Sequence, residues 1–188
     1  MEQIIFYLVR HGEAENNVRS ILSSLPEGRE YHLTDKGKEQ IGETAAFLKT
    51  VSVDALFSSP VCRARESAAL IAEMIGRPMV LDERLCETYF GDFNNHPMAE
   101  FLKKYPESQL RISTDPKDGV ESYIDMRGRL TSFLSDMREK YAGKKVVVVS
   151  HGDPLEQLHG ILTNEAPGRS ATGWYPKKGS CTEMRYDF

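Results

Sequence analysis

Ile4-Ile5-Phe6-Tyr7-Leu8-Val9-Arg10-His11-Gly12-Glu13 decides the fold. Its apolar and aromatic residues run without alternation, as in a strand covered on both faces, and the run stops at an arginine, a histidine and a glycine. A second run, Val146-Val147-Val148-Val149, stops in a similar way at Ser150-His151-Gly152-Asp153. Strands buried on both faces belong to sheets flanked by helices, so the two runs point to a central, mainly parallel sheet.

Working outward, helix-period segments separate the runs. Ile41, Ala45, Leu48 and Val51 form one stripe within residues 34–52. Asp54-Ala55-Leu56-Phe57-Ser58 reads as a short strand, and Ser59-Pro60 as an N-cap and a first-turn proline. Val61, Ala64, Ala68, Ile71 and Ile75 then form a second stripe that ends at Gly76, and Pro78–Leu81 is a third strand. Residues 92–121 are punctuated by Asn94, Asn95, Pro97, Pro106, Pro116 and Gly119, with room for one short helix near Met98–Tyr105. Ser122 and Asp125 open the strongest helix like a capping box, with Met126, Leu130, Phe133, Leu134, Met137 and Tyr141 on one face. Asp153-Pro154 opens another helix, and Cys181–Tyr186 reads as a last strand. This alternation predicts an α/β fold, a three-layer αβα sandwich with a mainly parallel central sheet. We expect one domain over residues 1–188, with residues 82–121 an insertion or lid over the active site.

The 188 residues are 40% apolar and 28% charged, ordinary for a globular chain and unlike disorder, collagen or coiled coil. No apolar stretch approaches the ~20 residues that cross a bilayer. Met1-Glu2-Gln3 lacks a basic leader region, so a soluble, cytoplasmic protein is expected. Twenty-four basic against 28 acidic side chains leave a net charge of −4, with no general attraction for nucleic acid or membrane. Cys62, Cys86 and Cys181 are an odd set without a C-x-x-C pair. They read as reduced, buried thiols rather than a nucleophile, a disulfide framework or a zinc knuckle.

In an open parallel sheet, ligands bind beyond the carboxyl ends of the strands. Three such ends carry Arg10-His11-Gly12-Glu13, Ser58-Ser59-Pro60 with Arg63 close behind, and Ser150-His151-Gly152-Asp153. A cation in the first turn of a helix, as Arg63 would be, opposes the helix dipole unless an anion sits there. If Arg10 faces the same crevice, the two guanidiniums repel by about 4 kcal/mol at close approach and an effective dielectric of about 20, and a doubly charged phosphoryl group reverses that sign. The alternative for Arg63 is a solvated surface arginine. His11 and His151 admit three readings: hydrogen-bonded strand-end histidines, metal ligands with Glu13 or Asp153, or a nucleophile with a phosphate binder. No H-x-H or H-E-x-x-H spacing occurs, and flanking arginines disfavour a cation, so no metal is expected. A neutral imidazole attacks phosphorus and later leaves it, dividing one hard displacement into two easier ones. Neighbouring cations would keep it unprotonated.

These residues, taken in order, resemble the histidine phosphatase superfamily, the phosphoglycerate mutase-like enzymes. Leu8-Val9-Arg10-His11-Gly12-Glu13 with Asn17 is similar to its R-H-G element, and Leu33-Thr34, Gly37 and Gln40 to the L-T-x-x-G-x-x-Q that opens its first helix. Ser58-Ser59-Pro60-Val61-Cys62-Arg63-Ala64 resembles S-S-P-L-x-R-A, and Glu87, Gly91 and Phe93 resemble E-x-x-x-G-x-W/F. Gly119, Glu121, Ser122 and Arg127 resemble the G-E-S helix start, and Val149-Ser150-His151-Gly152 the second histidine element. The resemblance implies a phosphoglycerate mutase-like fold and no cofactor. It implies that His11 becomes phosphohistidine, that Arg10, Asn17, Arg63 and His151 hold the phosphoryl oxygens, and that Glu87 is the acid and then the base.

The expected activity is a metal-independent phosphomonoesterase, a phosphoric monoester hydrolase acting on a small phosphorylated metabolite. Alternatives are a cofactor-dependent phosphoglycerate mutase, a protein phosphohistidine phosphatase, and a non-catalytic phosphate-binding regulatory module. The span from Glu87 to His151 is short for a mutase's basic insertion. Lys103, Lys104, Arg111 and Lys117 are its cations before the long helix, read here as a solvated face. Asp153 stands where many members carry a small residue. Tyr89, Phe90, Phe93 and Asn94-Asn95-His96 are read as closing over a substrate, and Phe101 and Tyr105 as packing a short lid helix. The tail around Trp174-Tyr175-Pro176 either pairs subunits or covers the sheet, and the oligomeric state is left open.

Overall fold

The computed structural model describes residues 3–113 and 118–187. Met1, Glu2, Pro116 and Lys117, which entered the sequence reading, lie outside the described residues. The strands are β1 (Ile4–Arg10), β2 (Ala55–Ser58), β3 (Met79–Leu81), β4 (Lys145–Ser150) and β5 (Cys181–Tyr186). The α-helices are α1 (Glu15–Val18), α2 (Asp35–Lys49), α3 (Cys62–Ile75), α4 (Met98–Lys104), α5 (Tyr123–Tyr141) and α6 (Gly152–Leu162).

The strands form one five-stranded sheet in the order β3-β2-β4-β1-β5, parallel except for β5, which runs antiparallel to β1. Alternate residues of the central strands enter two different cores. Phe6, Leu8, Val146 and Val148 pack with Met126, Leu130 and Phe133 of α5 and with Leu155 and Leu158 of α6. Tyr7, Val9, Val147 and Val149 pack with Ile41 and Leu48 of α2 and Ala64 and Ile71 of α3. Both faces of β1 and β4 are therefore buried, which is why their sequences run apolar without alternation. Three layers result, as expected. Each fully buried Leu, Val or Phe contributes about 1.5–3 kcal/mol relative to exposure.

Thr34 and Ser122 cap α2 and α5, accepting from the Gly37 and Asp125 backbone N–H groups at 3.0 Å in both cases. The start of α3 departs from expectation. Its N-cap is Val61, and Ser59-Pro60 precede the helix. The Ser59 hydroxyl lies 2.8 Å from the His151 ring and accepts only a longer bond, 3.3 Å, from the Val61 N–H.

Register brings the strand ends together. Arg10 pairs with Ser150, and Ser58 with Val149. Past those pairs the His11 N–H donates to the Ser150 carbonyl and the Ser59 N–H to that of Val149, both at 3.0 Å. Three chain segments distant in sequence thus leave the sheet side by side.

Residues 82–121 hold α4 and short 3₁₀ turns at 83–85, 91–93 and 108–111. Leu22, Phe90, Phe101, Tyr105 and Val120 gather into a third, small apolar cluster. The Leu22 N–H donates to His96 O at 3.0 Å and the Asn95 N–H returns to Leu22 O at 2.9 Å, which ties this segment to the loop after α1. No helix among the described residues is long and apolar enough to cross a membrane.

Candidate active site

A cleft of about 550 Å³ opens at the carboxyl ends of β1, β2 and β4. Arg10, His11, Asn17, Arg63 and Glu87 line it. His151 is fully buried and lies behind His11, with ring centroids 5.0 Å apart, rather than on the wall.

His11 is fixed in orientation. Its Nδ1 lies 2.7 Å from the Gly12 carbonyl, an acceptor, so Nδ1 carries the proton and Nε2 keeps its lone pair. Nε2 in turn accepts from Arg63 Nε at 3.1 Å. Burial, then Arg63 and Arg10, holds its pKa well below the usual histidine value, so the ring is neutral. Gly12 is required where it is, because a Cβ there would run into the Gly37 carbonyl.

Arg63 is almost fully buried, and its hydrogen bonds go to neutral groups: His11, the Ser23 carbonyl at 2.9 Å and, more loosely, the Ser23 hydroxyl. The Glu87 and Glu27 charges reach Arg63 without a salt bridge, and burial still lowers its pKa, so a bound anion would complete the site. Arg10 donates from Nη1 to the Pro176 carbonyl at 2.9 Å and lies over the Tyr175 ring, while its Nε is buried without a partner among the described residues. His151 shares Nε2 with Ser59, and its Nδ1 is also unpartnered. Burial, then Arg63, lowers its pKa well below the ordinary value. His151 is also the N-cap of α6, so the free N–H groups of that helix open beside it. Unpaired guanidinium, unpartnered buried nitrogens and a helix start suit an oxyanion.

Asn17 lines the cleft while its Oδ1 accepts from the Ala14 N–H at 3.1 Å. Glu87 sits in the loop after the 83–85 turn, its Oε1 accepting from the Thr88 N–H at 2.9 Å. Burial, then the Asp153 charge, raises its pKa to about 6.

The two His-Gly-acid tripeptides prove inequivalent. Glu13 turns away to Thr34 and Lys36 at the start of α2. Asp153 turns into the cleft, where it pairs with Arg111. That pairing corrects the reading of Arg111 as part of a solvated face, for the side chain is buried. Lys103 is exposed and Lys104 pairs with Asp118, so they fit a surface better. Burial opposes ionisation of Asp153, yet Arg111 and Arg169 hold its pKa at about 2. Thr88 bridges the two acids, its hydroxyl donating to Asp153 Oδ2 at 3.2 Å.

Arg169, Ser170, Gly173, Tyr175 and Lys178 also line the cleft, which the sequence reading missed. The tail around Tyr175 walls the site, and the closest signal was Gly152, whose missing Cβ leaves room for the Tyr175 ring. Phe90 and Phe101 line the cleft, whereas Phe93 packs edge-on against Phe101 and Tyr105, and Tyr89 meets Arg129. Asn94 accepts from the Ser24 N–H and donates to Pro26, pinning the 22–26 loop.

Among the described residues, donors able to share a metal ion occur at Glu30, His32 and Cys62, within 4.8 Å of one another and apart from the His11–His151 pair. Glu30 is already paired with Arg65, and His32 with Glu66.

A model of the Histidine phosphatase superfamily (branch 1) matches residues 6–187. The chain is 30% identical to the uncharacterized phosphatase PhoE of Bacillus subtilis, over 86% of this chain and 77% of that protein. It is 30% identical to phosphoserine phosphatase 1 of Hydrogenobacter thermophilus, over 82% of this chain and 74% of that one. The native structure of a mycobacterial glucosyl-3-phosphoglycerate phosphatase superposes with a TM-score of 0.80, covering 97% of this chain and 90% of that chain. At 23% identity that last likeness is one of fold.

Proposed function

The chain belongs to the histidine phosphatase superfamily, and on that footing we propose that it is a metal-independent phosphomonoesterase hydrolysing a small phosphorylated metabolite through a phosphohistidine at His11. The observation that carries this reading is the buried Arg63, which makes no salt bridge among the described residues and donates from Nε to the unprotonated Nε2 of a neutral His11.

The steps follow from the residues. The phosphoryl group of the ester enters among Arg10, Arg63, Asn17 and His151, the two arginines offsetting its charge and the other two offering hydrogen bonds to its equatorial oxygens. The His11 Nε2 lone pair attacks phosphorus, and the bond to the ester oxygen breaks as Glu87 gives that oxygen its proton. A pKa of about 6 suits Glu87 to both halves of the cycle. Its carboxylate then takes a proton from water, the water oxygen bonds to phosphorus, and the N–P bond breaks to release inorganic phosphate and restore His11.

On the same reading residues 82–121 are the cap of a single domain. A protonated Glu87 favours alcohol leaving groups, since the imidazole leaving group of a phosphohistidine needs no such acid. The test is hydrolysis of p-nitrophenyl phosphate with EDTA present, comparing wild type with His11→Ala. Activity should survive the chelator and vanish in the variant. Loss to EDTA would move the chemistry to a metal. Interconversion of phosphoglycerates dependent on 2,3-bisphosphoglycerate would make the protein a mutase.

A further inference from the structure

Taking the phosphomonoesterase reading as given, we propose that the cleft selects phosphate esters of uncharged alcohols with an apolar body, and discriminates against esters that carry a second anionic group.

The cleft is divided by charge. At the His11 end Arg10 and Arg63 make no ion pair among the described residues, and Lys178, which also lines the cleft, makes none. Those are the cations a phosphoryl dianion would use. At the other end each cation is already matched. Arg111 pairs with Asp153, and Arg169 with Glu156 at 2.8 Å and Asp153 at 3.5 Å. The remaining acceptor capacity of those two acids goes to the Thr88 and Tyr175 hydroxyls, both at 3.2 Å, and to the Ser170 N–H at 3.1 Å. Two guanidiniums and two carboxylates thus balance one another in charge, with the buried Arg111 Nε the nitrogen left without a partner among the described residues.

The facing wall is apolar. Leu22, Phe90 and Phe101 form its base, with Phe90 and Phe101 edge-on at 5.5 Å. Met98 and Leu102 of α4 extend it, and they remain 43% and 48% exposed while lining the cleft. Apolar side chains left open to solvent around a concave site mark where a ligand covers them. Asn16, Asn17 and Ser20 add neutral polar groups to the cleft but no charge to balance a second anion, which would lie against the apolar wall or beside Asp153 and Glu156, which repel it. An uncharged alcohol meets neither penalty.

The test uses alkyl esters of similar leaving-group strength: hexyl phosphate, glycerol 3-phosphate, 3-phosphoglycerate and phosphoserine. We expect kcat/KM for hexyl phosphate to exceed that for 3-phosphoglycerate by roughly 10- to 200-fold, the range a hydrophobic pocket achieves. Leu102→Ala should lower kcat/KM for hexyl phosphate and leave 3-phosphoglycerate little changed. Leu102→Arg, which adds an unpaired cation to the wall, should raise 3-phosphoglycerate. A wild-type preference for either carboxylated ester, or Leu102 variants that move all four esters together, would overturn the proposal. Acid-quench trapping of phospho-His11 separates the two levels. A trapped phosphoenzyme with carboxylated esters preferred defeats the selectivity alone, whereas no phosphoenzyme and no turnover of any ester defeats the hydrolase reading and the selectivity with it.

Discussion

Arg63 Nε lies 3.1 Å from His11 Nε2, so the guanidinium that would hold the phosphoryl group also holds the nitrogen that would attack it. Two other nitrogens of the same group reach Ser23. A lysine has one donor centre and cannot reproduce this arrangement. Arg63→Lys is therefore expected to lower kcat by about 10²–10³, close to the loss in Arg63→Ala. A lysine variant within threefold of wild type in p-nitrophenyl phosphate turnover would show that charge alone is needed.

An oxyanion should stabilise the fold by completing this buried site. With vanadate at about a hundredfold its Kd, linkage predicts roughly 2.7 kcal/mol, or a rise in Tm of about 5–10 °C for a chain of this size. The increment should vanish in Arg63→Ala. Equal vanadate shifts in both proteins by differential scanning fluorimetry would place the anion elsewhere.

The pH dependence follows from two opposite displacements. His11 has its pKa pushed well below the ordinary value by burial and by Arg63 and Arg10, so its ring is neutral at neutral pH and is not the source of a basic limb. Glu87, raised to about 6, must be protonated to assist departure of the alcohol. The kcat/KM for an alkyl phosphate should therefore fall as pH rises through about 6. Glu87→Gln should remove that limb and slow alkyl ester hydrolysis far more than hydrolysis of phosphohistidine. Equal losses on both substrates would deny Glu87 its role as acid.

Asp153 acts on Glu87 from a distance, through its charge and through Thr88. Removing its negative charge lowers the Glu87 pKa, and the freed Arg111, which already feels Glu87, lowers it further. In Asp153→Asn the basic limb of kcat/KM should therefore move to lower pH. The change also leaves Arg111 buried without its partner, a destabilisation of about 3–5 kcal/mol. An unshifted limb in protein shown to be folded by circular dichroism would reduce Asp153 to a structural role.

How much of this was legible depended on how local each signal was. The sheet was readable because β1 and β4 are buried on both faces, which writes an unbroken apolar run into each. Arg63 was readable because a cation at a helix start contradicts the dipole. Glu87 was readable through the resemblance alone, since it sits in a loop without period. Arg111 was misread for a related reason. Its partner Asp153 is far along the chain, and a residue amid prolines and polar neighbours looks solvated until the fold brings the acid to it. The role of 169–178 was equally hidden, because a loop held in place by the antiparallel edge strand that comes after it carries no pattern in its own sequence. Ser59 showed the reverse case: it has the chemistry of an N-cap, and its hydroxyl is shared between the Val61 N–H and a tertiary contact to His151.

β5 pairs with β1, and the Gly179 N–H just before it donates to the Arg10 carbonyl at 3.0 Å. Pro176 and Tyr175, immediately upstream, hold the Arg10 side chain. The strand made first is thus finished by the strand made last among the elements described. During synthesis the helices and the four parallel strands emerge from the ribosome before Arg10 has its backbone or side-chain partners. A chain that has the four parallel strands but not β5 can therefore bury most of its core while the cleft still lacks the wall that Tyr175 and Pro176 give it.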